Sequence, residues 1–540
     1  MSSKISRRSF IKSSLVAGVS FGTGFVSQSI FKVSNRHDTI IKGAKIYDGN
    51  GGLPYVGDIA IKDGKIVSVA LDLGSSADLV LDAKNMSLSP GFVDLHTHTD
   101  TKLFDAPLGD SRIYQGITTD IGGNCGYGPF PTERWKDAGD FFTDLKKNGI
   151  GINYGSFTGQ GTLRRLIVGE KDEPCNSDQL SAMKYELERQ LEMGSAGLSS
   201  GLEYTPGSYA SNEELIELCR VVAKHNGLYA IHMRNEDDYV EESIKEAIEI
   251  AKKSGVRLQI SHLKAQNANN WHKAESMLKL IDNARESGVD VAFDRYPYTA
   301  FSTGLTSFIP LELRDGSKDD IIARLNSKTI ATKIESYAYS RIDRLGGPQN
   351  VVITSCNAQQ NKKFIAKNLQ ECASIASSSV WEVIKELLIS ENLSVSIIGF
   401  AMTEDNIKMF LSHPLGMPAS DGSVYSPQGV LSQTRPHPRS YGTFPRFIGR
   451  YCRDENWMSL AQAIKKSTSL PASRLNLKNR GVIMPGYFAD LVIFDSQKIL
   501  DLATYQDPHI FAQGIEHVFV NGAHTISNGQ ATLNRAGVIV

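Results

Sequence analysis

The sequence predicts the α/β class: a (β/α)8 TIM-type barrel with a small β-sandwich formed by the N- and C-terminal segments. Three observations carry this. Between residues 91 and 475 short apolar runs alternate with helical patterns, the signature of βαβ units around a parallel sheet. Eight such runs occur, at 92–95, 118–121, 153–157, 196–202, 228–231, 258–260, 289–293 and 416–418. Outside that region the two ends of the chain share a different texture, short strands broken by tight turns.

A chain of 540 residues accommodates one barrel of about 250 residues with appendages. Its 58 Lys and Arg balance 59 Asp and Glu, which excludes the charge footprint of a nucleic-acid binder and points to small-molecule partners. Six cysteines form no Cys-x-x-Cys pair, against both a disulfide scaffold and a zinc ribbon.

Taken in order, Ser6-Arg7-Arg8-Ser9-Phe10-Ile11-Lys12 resembles a twin-arginine export signal, and residues 13–30 are mildly apolar but too polar for a membrane span. The expectation is a signal and linker over 1–37 and a protein exported to the periplasm or cell envelope. Membrane contact would come only through that segment if it is retained. Residues 38–90 read as strands, with Asp63-Gly64 between apolar runs as a hairpin turn. Residues 488–495 and 518–522 repeat the texture, so 38–90 and 476–540 are expected to form one β-sandwich.

Within the barrel region, Leu180, Met183, Leu187 and Leu191 fall at steps of three and four, with Asn176 or Ser177 as cap and Gly194 as stop. Ser211 and Glu214 form a capping box for the next helix, which ends before Gly227. From 307 to 397 the spacing is too long for one helix. This predicts an inserted, partly helical segment at the face where barrels place lids and specificity elements.

The first run continues as Val93-Asp94-Leu95-His96-Thr97-His98, and strand alternation turns His96 and His98 the same way. Later strand ends carry Cys125, Glu203, His232, His262 and Asp421. All C-terminal strand ends of a barrel open on one face, so these residues are expected to converge there. Imidazole, thiolate and carboxylate are the groups zinc takes, and a catalytic site leaves a position for water. Alone, His232 or His262 reads as a satisfied core histidine and Cys125 as a small packing residue. Their joint occurrence at successive strand ends favours a metal site.

The opening motif resembles that of the amidohydrolase superfamily. The fuller set is similar to the N-acyl-D-amino-acid deacylases from about residue 39 onward: Gly123-Asn124-Cys125-Gly126, Ser200-Gly201-Leu202-Glu203-Tyr204, His232-Met233-Arg234, Ser261-His262-Leu263-Lys264, Tyr296-Pro297-Tyr298, Ser420-Asp421-Gly422 and His437-Pro438-Arg439. The resemblance implies zinc-dependent hydrolysis of the acyl amide of an N-acyl-D-amino acid. Cys125, His232 and His262 would hold a tight zinc, and His96 and His98 a second, weaker metal. Asp421 would be the general base and a further donor beside the metal. A substrate carboxylate would sit on Arg439, helped by Lys264, Tyr204, Tyr296 and Ser302.

Two positions depart from the pattern. Glu203 stands where many superfamily members place a bridging carboxylate and some deacylases an apolar residue, so it either bridges two metals or pairs with Arg234. Gln160 stands where relatives commonly show histidine. Arg295, beside Tyr296, raises an acidic substrate side chain, although a lone arginine is usually solvated. The alternatives are a cyclic-amide hydrolase of the hydantoinase or dihydroorotase type and a non-catalytic binding protein on the same scaffold. Cys125 and Arg439 speak against the first, because cyclic substrates lack a free α-carboxylate. The intact Asp421 and ligand positions speak against the second.

Overall fold

Residues 36–540 are described by a computed structural model of the chain, so the export signal expected over 1–37 lies almost wholly outside the described residues. Strands Phe92–Asp94, Ile117–Gly122 and Asn153–Ser156 pair in parallel. Thr158–Gly159 resumes the third run beyond Phe157 and opens a second parallel sheet with Gly197–Gly201, Leu228–His232, Arg257–Ile260, Val291–Arg295 and Gly416–Pro418. The first strand then meets the last. Thr97 bridges Gly422 in parallel, Asp421 N donates to His96 O at 2.9 Å, and His98 N donates to Gly422 O at 2.7 Å. Each of the eight runs read from the sequence coincides with part of this circuit.

Strands such as Gly197–Gly201 and Leu228–His232 are buried at every position, as parallel strands covered on both faces must be. Helices between them supply the cover. Ser177–Glu192 is capped by Asn176, whose side chain and that of Gln179 form a reciprocal capping box, and it turns Met183, Leu187 and Leu191 inward. These pack in one core with Leu198, Leu215, Ile231, Ile244 and Ile260. Truncating a fully buried residue there, such as Leu187→Ala, costs about 2–5 kcal/mol. The helix Asn212–Lys224 is capped by Ser211 as expected, but the Glu214 side chain does not return to complete the box. It accepts from Gln160 and pairs with buried Arg164 instead.

Strands between His37 and Pro90 and between Leu491 and Ala531 form one nine-stranded sheet, joined where Leu491–Phe494 pairs antiparallel with Ser87–Pro90. Asp63 and Gly64, both at positive φ, turn the hairpin between Tyr55–Lys62 and Lys65–Ala70. Ser87–Pro90 leads through Gly91 straight into the strand Phe92–Asp94 that runs up to His96, and a Cβ on Gly91 would run into the Thr118 side chain. The terminal sheet thereby fixes where the first metal-type histidines begin.

The inserted segment begins at Ala300, ahead of 307, because Ala300–Gly304 pairs with Ser396–Phe400 on its far side. Val351–Ser355 completes a three-stranded antiparallel sheet, and the helices Lys318–Asn326, Lys328–Arg344, Leu369–Ala376 and Val380–Ser390 pack with it around Phe308, Ile334, Trp381 and Leu387. Among the described residues no helix is long and apolar enough to cross a membrane.

Candidate metal centre

The strand ends bring their polar side chains to one place. Cys125 Sγ lies 3.5 Å from His96 Nε2 and 3.6 Å from His262 Nε2. His262 Nε2 is 2.9 Å from His232 Nδ1, and Asp421 Oδ1 is 3.4 Å from His96 Nε2 and 3.0 Å from His98 Nε2. One donor atom each from His96, Cys125, His262 and Asp421 lies within 4.8 Å of the others. All of these side chains are buried except His98, whose imidazole faces the cleft at 37% exposure.

The second nitrogen of each buried imidazole is held by a carboxylate. His96 Nδ1 is 3.1 Å from Asp294, His262 Nδ1 is 3.0 Å from Glu236, and His232 Nε2 is 3.2 Å from Glu203. Such partners orient each ring, and at His96 and His232 they also set the tautomer, leaving His96 Nε2, His262 Nε2 and His232 Nδ1 near Cys125; at His262 Nδ1 the Lys264 ammonium stands beside Glu236. A thiolate, two imidazoles and a carboxylate around one point, with His232 joining through His262, are a donor set that fits zinc.

Electrostatics agree with the geometry. Burial alone would raise the Cys125 thiol, but His96, His232 and His262 outweigh it and hold the thiol well below its ordinary range. For Asp421 burial is again overcome, by Arg439, His262 and hydrogen bonds with His96 and His98, so its carboxyl sits well below the usual carboxylate range. Against burial, His232 and Arg341 bring Glu203 down to about 2. The backbone is also unusual: Cys125, His262 and Asp421 have φ of 53°, 36° and 47°, a region non-glycine residues seldom occupy.

A cleft of about 480 Å³ opens onto these donors, and all five substrate-binding candidates, Tyr204, Lys264, Tyr296, Ser302 and Arg439, line it. The Tyr296 hydroxyl is buried without a hydrogen-bond partner, and the Arg439 guanidinium lies 4.7 Å over its ring. Arg439 Nη1 is 2.7 Å from Asp421 Oδ2, an ion pair not aligned as a hydrogen bond. Lys264 is already engaged: its Nζ contacts Glu236 Oε1 at 2.5 Å and His262 Nδ1 at 2.8 Å. Tyr204 shares a hydrogen bond of 3.2 Å with Thr303.

Other expectations are corrected. Glu203 does not pair with Arg234, which binds Glu246 and the carbonyls of Ser208 and Ala210. Glu203 meets His232 and Arg341 instead, and it is not among the groups whose donor atoms converge. Arg295 is neither solvated nor in the cleft; it is buried beneath the Tyr296 ring at 4.1 Å and donates to Tyr298 O. Gln160 is buried against Glu214, away from the cleft lining.

Sequence reasoning missed Asp294, Glu236 and Arg341. A signal existed for two of them. Asp294 is the one acid in the apolar run Val291–Arg295, and Glu236 follows His232 by four residues.

Comparison with known proteins places this arrangement. The model of the amidohydrolase family matches residues 378–526. The chain is similar to the D-aminoacylase of Alcaligenes xylosoxydans xylosoxydans, 30% identical over 524 residues that cover 94% of this chain and 98% of that one. It is 31% identical over 506 residues to the N-acyl-D-glutamate deacylase of the same organism, covering 91% and 94%. Among solved structures, N-acyl-D-glutamate deacylase from Bordetella bronchiseptica, complexed with zinc and a phosphonate inhibitor, matches with a TM-score of 0.80 at 31% identity, covering 93% of this chain and 99% of that one. Matched along nearly its whole length by relatives of one kind, the chain belongs to the N-acyl-D-amino-acid deacylase family of the metal-dependent amidohydrolases.

Proposed function

We propose that this protein is a zinc-dependent hydrolase that cleaves N-acyl-D-amino acids to a carboxylate and a free D-amino acid, as the names of its full-length relatives indicate. The observation that carries this is the placement of Asp421, with one oxygen facing His96 and His98 and the other facing Arg439. A carboxylate so placed stands between metal donors and a cation suited to an α-carboxylate.

Cys125, His232 and His262 form the tight zinc position in this reading, with His96 and His98 beside Asp421 as the weaker one. A zinc ion held there would supply acidification of water and polarisation of the acyl carbonyl. Asp421, ionised, accepts the proton of the attacking water and returns it to the leaving nitrogen. Arg439 and the unpartnered Tyr296 hydroxyl receive the α-carboxylate, a charge-assisted contact that fixes the substrate end-on. Lys264 acts through Glu236 and His262, and Tyr204 and Ser302 shape the walls.

The same reading takes the circuit of eight parallel strands, closed by Thr97 and Gly422, as a (β/α)8 barrel over 91–475, and the terminal sheet as a β-sandwich built from 38–90 and 476–540. It also takes residues 1–37 as an export signal and linker that sends the enzyme to the periplasm or cell envelope. A panel of N-acetyl-D- and L-amino acids and cyclic hydantoins, with and without chelator, tests the function. Turnover of D substrates that chelation abolishes and zinc restores is expected, whereas preference for the cyclic amides would refute the reading.

A further inference from the structure

The end of the fourth strand is gripped by the inserted segment, and the grip reaches the metal donors in two contacts. Glu203 follows Gly197–Gly201 directly, and its two carboxylate oxygens have separate partners. Oε2 lies 3.2 Å from His232 Nε2, and Oε1 lies 3.4 Å from Arg341 Nη2. Arg341 belongs to the helix Lys328–Arg344 of the insertion, is buried, and rests 5.9 Å over the Phe308 ring. A second arginine of the insertion, Arg314, donates from Nη1 to the Glu203 carbonyl at 3.2 Å while its other nitrogens bind the carbonyls of Ile309 and Ser307. The insertion thus holds Glu203 by both side chain and backbone.

Glu203 meets the nitrogen of His232 that faces away from Cys125 and His262. The imidazole stands between the carboxylate and the converging donors, so Glu203 is placed to accept the Nε2 proton and leave the Nδ1 lone pair directed inward. A carboxylate that bridged two metals would have to lie on the other edge of that ring.

We propose that Glu203 is a positioning residue and not a metal ligand: it orients His232 toward the tight zinc, and Arg341 of the inserted segment holds it in that pose. The segment that walls the cleft and the metal are therefore coupled through Arg341, Glu203 and His232. Docking of the insertion becomes a condition for slow zinc release, and not only for shaping the cleft.

This inference rests on the zinc reading above, and the experiment separates the two. Zinc-loaded full-length protein is mixed with excess chelator in the absence of substrate, and the release rate is followed with a zinc-sensitive dye. Wild-type protein that holds no zinc would refute the metal reading and this inference with it. In zinc-holding protein, Glu203→Leu is expected to release zinc roughly 10–100-fold faster. Glu203→Gln, whose amide oxygen still accepts from Nε2, should stay close to wild type and shows that the loss is not a folding failure. Arg341→Met should speed release in the wild-type background and have no further effect in the Glu203→Leu background. Unchanged release in Glu203→Leu overturns the proposal, as does an equal effect of Arg341→Met in both backgrounds. So does loss of one bound metal per chain in both Glu203 variants, which would make Glu203 a ligand.

Discussion

Arg439 and Asp421 face one another at the mouth of the eighth strand, with Nη1 2.7 Å from Oδ2, while His98 takes the opposite carboxylate oxygen at 3.0 Å. The pairing keeps the carboxylate ionised and aimed without tying it to a hydrogen-bond network on the Arg439 side. A base must accept a proton to work, and a weakly aligned cation leaves it freer to do so than a bidentate clamp would.

Asp421→Asn keeps the shape and most contacts of the side chain but cannot take the proton. Its expected effect is a fall in kcat of roughly 10²–10⁴-fold or more, with the tight zinc still in place. Turnover and elemental analysis on the same sample check this. Loss of the zinc would make Asp421 a ligand first and would move the search for a base elsewhere.

Arg439→Met tests the pair from the other side. Apart from burial, which opposes ionisation, the guanidinium is the largest influence on Asp421, and it lowers the carboxyl. Removing it raises that pKa. Because the base works only when ionised, the acidic limb of kcat/KM should move to higher pH. The same variant should lose far more on free N-acyl acids than on their esters, by about 2–5 kcal/mol if a buried charged contact is broken. Equal losses on acids and esters would confine Arg439 to holding Asp421.

Cys125→Ala removes the thiolate toward which three histidines point. Zinc content should fall to trace levels and hydrolysis with it, measured by elemental analysis of protein purified without added metal. A variant that keeps its zinc would return Cys125 to the role of a small packing residue in the glycine loop.

Lys466 gives a stability prediction far from catalysis. Its Nζ donates to Gly416 O at 2.6 Å and to His413 O, bracing the start of the eighth strand, and burial pushes its ammonium down to about 8. The unfolded value is about 10.4. Between these limits the unfolded chain binds a proton that the folded chain has released, so this group's contribution to stability rises with pH, by up to about 3 kcal/mol across the window. Below pH 8 the cost of the buried charge is present in full and flat. Denaturation midpoints of wild type and Lys466→Met at pH 7 to 10 check it. The difference between the two should shift in favour of wild type as pH rises, and a constant difference would mean that the ammonium stays charged.

What the sequence made legible were residues out of character with their surroundings. His96, Cys125, His232 and His262 end apolar runs, and Asp63-Gly64 and Asn176 carry turn and cap chemistry that acts within a few residues. What stayed hidden depends on distance along the chain. Arg341 sits on an ordinary-looking amphipathic helix and meets Glu203 only because the insertion folds back over the fourth strand. Glu214 looked like half of a capping box, but Arg164, fifty residues earlier in the chain, competes for its carboxylate. Arg234 and Glu203 follow neighbouring strands, yet Glu246 on the helix Val240–Ser254 claims the arginine because that helix packs back along the strand end.

The positive φ of Cys125, His262 and Asp421 sets a limit on how this enzyme can be improved. Left-handed backbone at a non-glycine residue costs on the order of 1–2 kcal/mol, and glycine would relieve it at each of the three positions while deleting a donor or the base. In zinc-free protein, heat tolerance and turnover therefore pull in opposite directions at the same codons. A mutant library heated with chelator and scored on survival alone would drift toward a sturdier protein with no chemistry, so any selection for robustness has to keep the metal in place and demand product from each survivor.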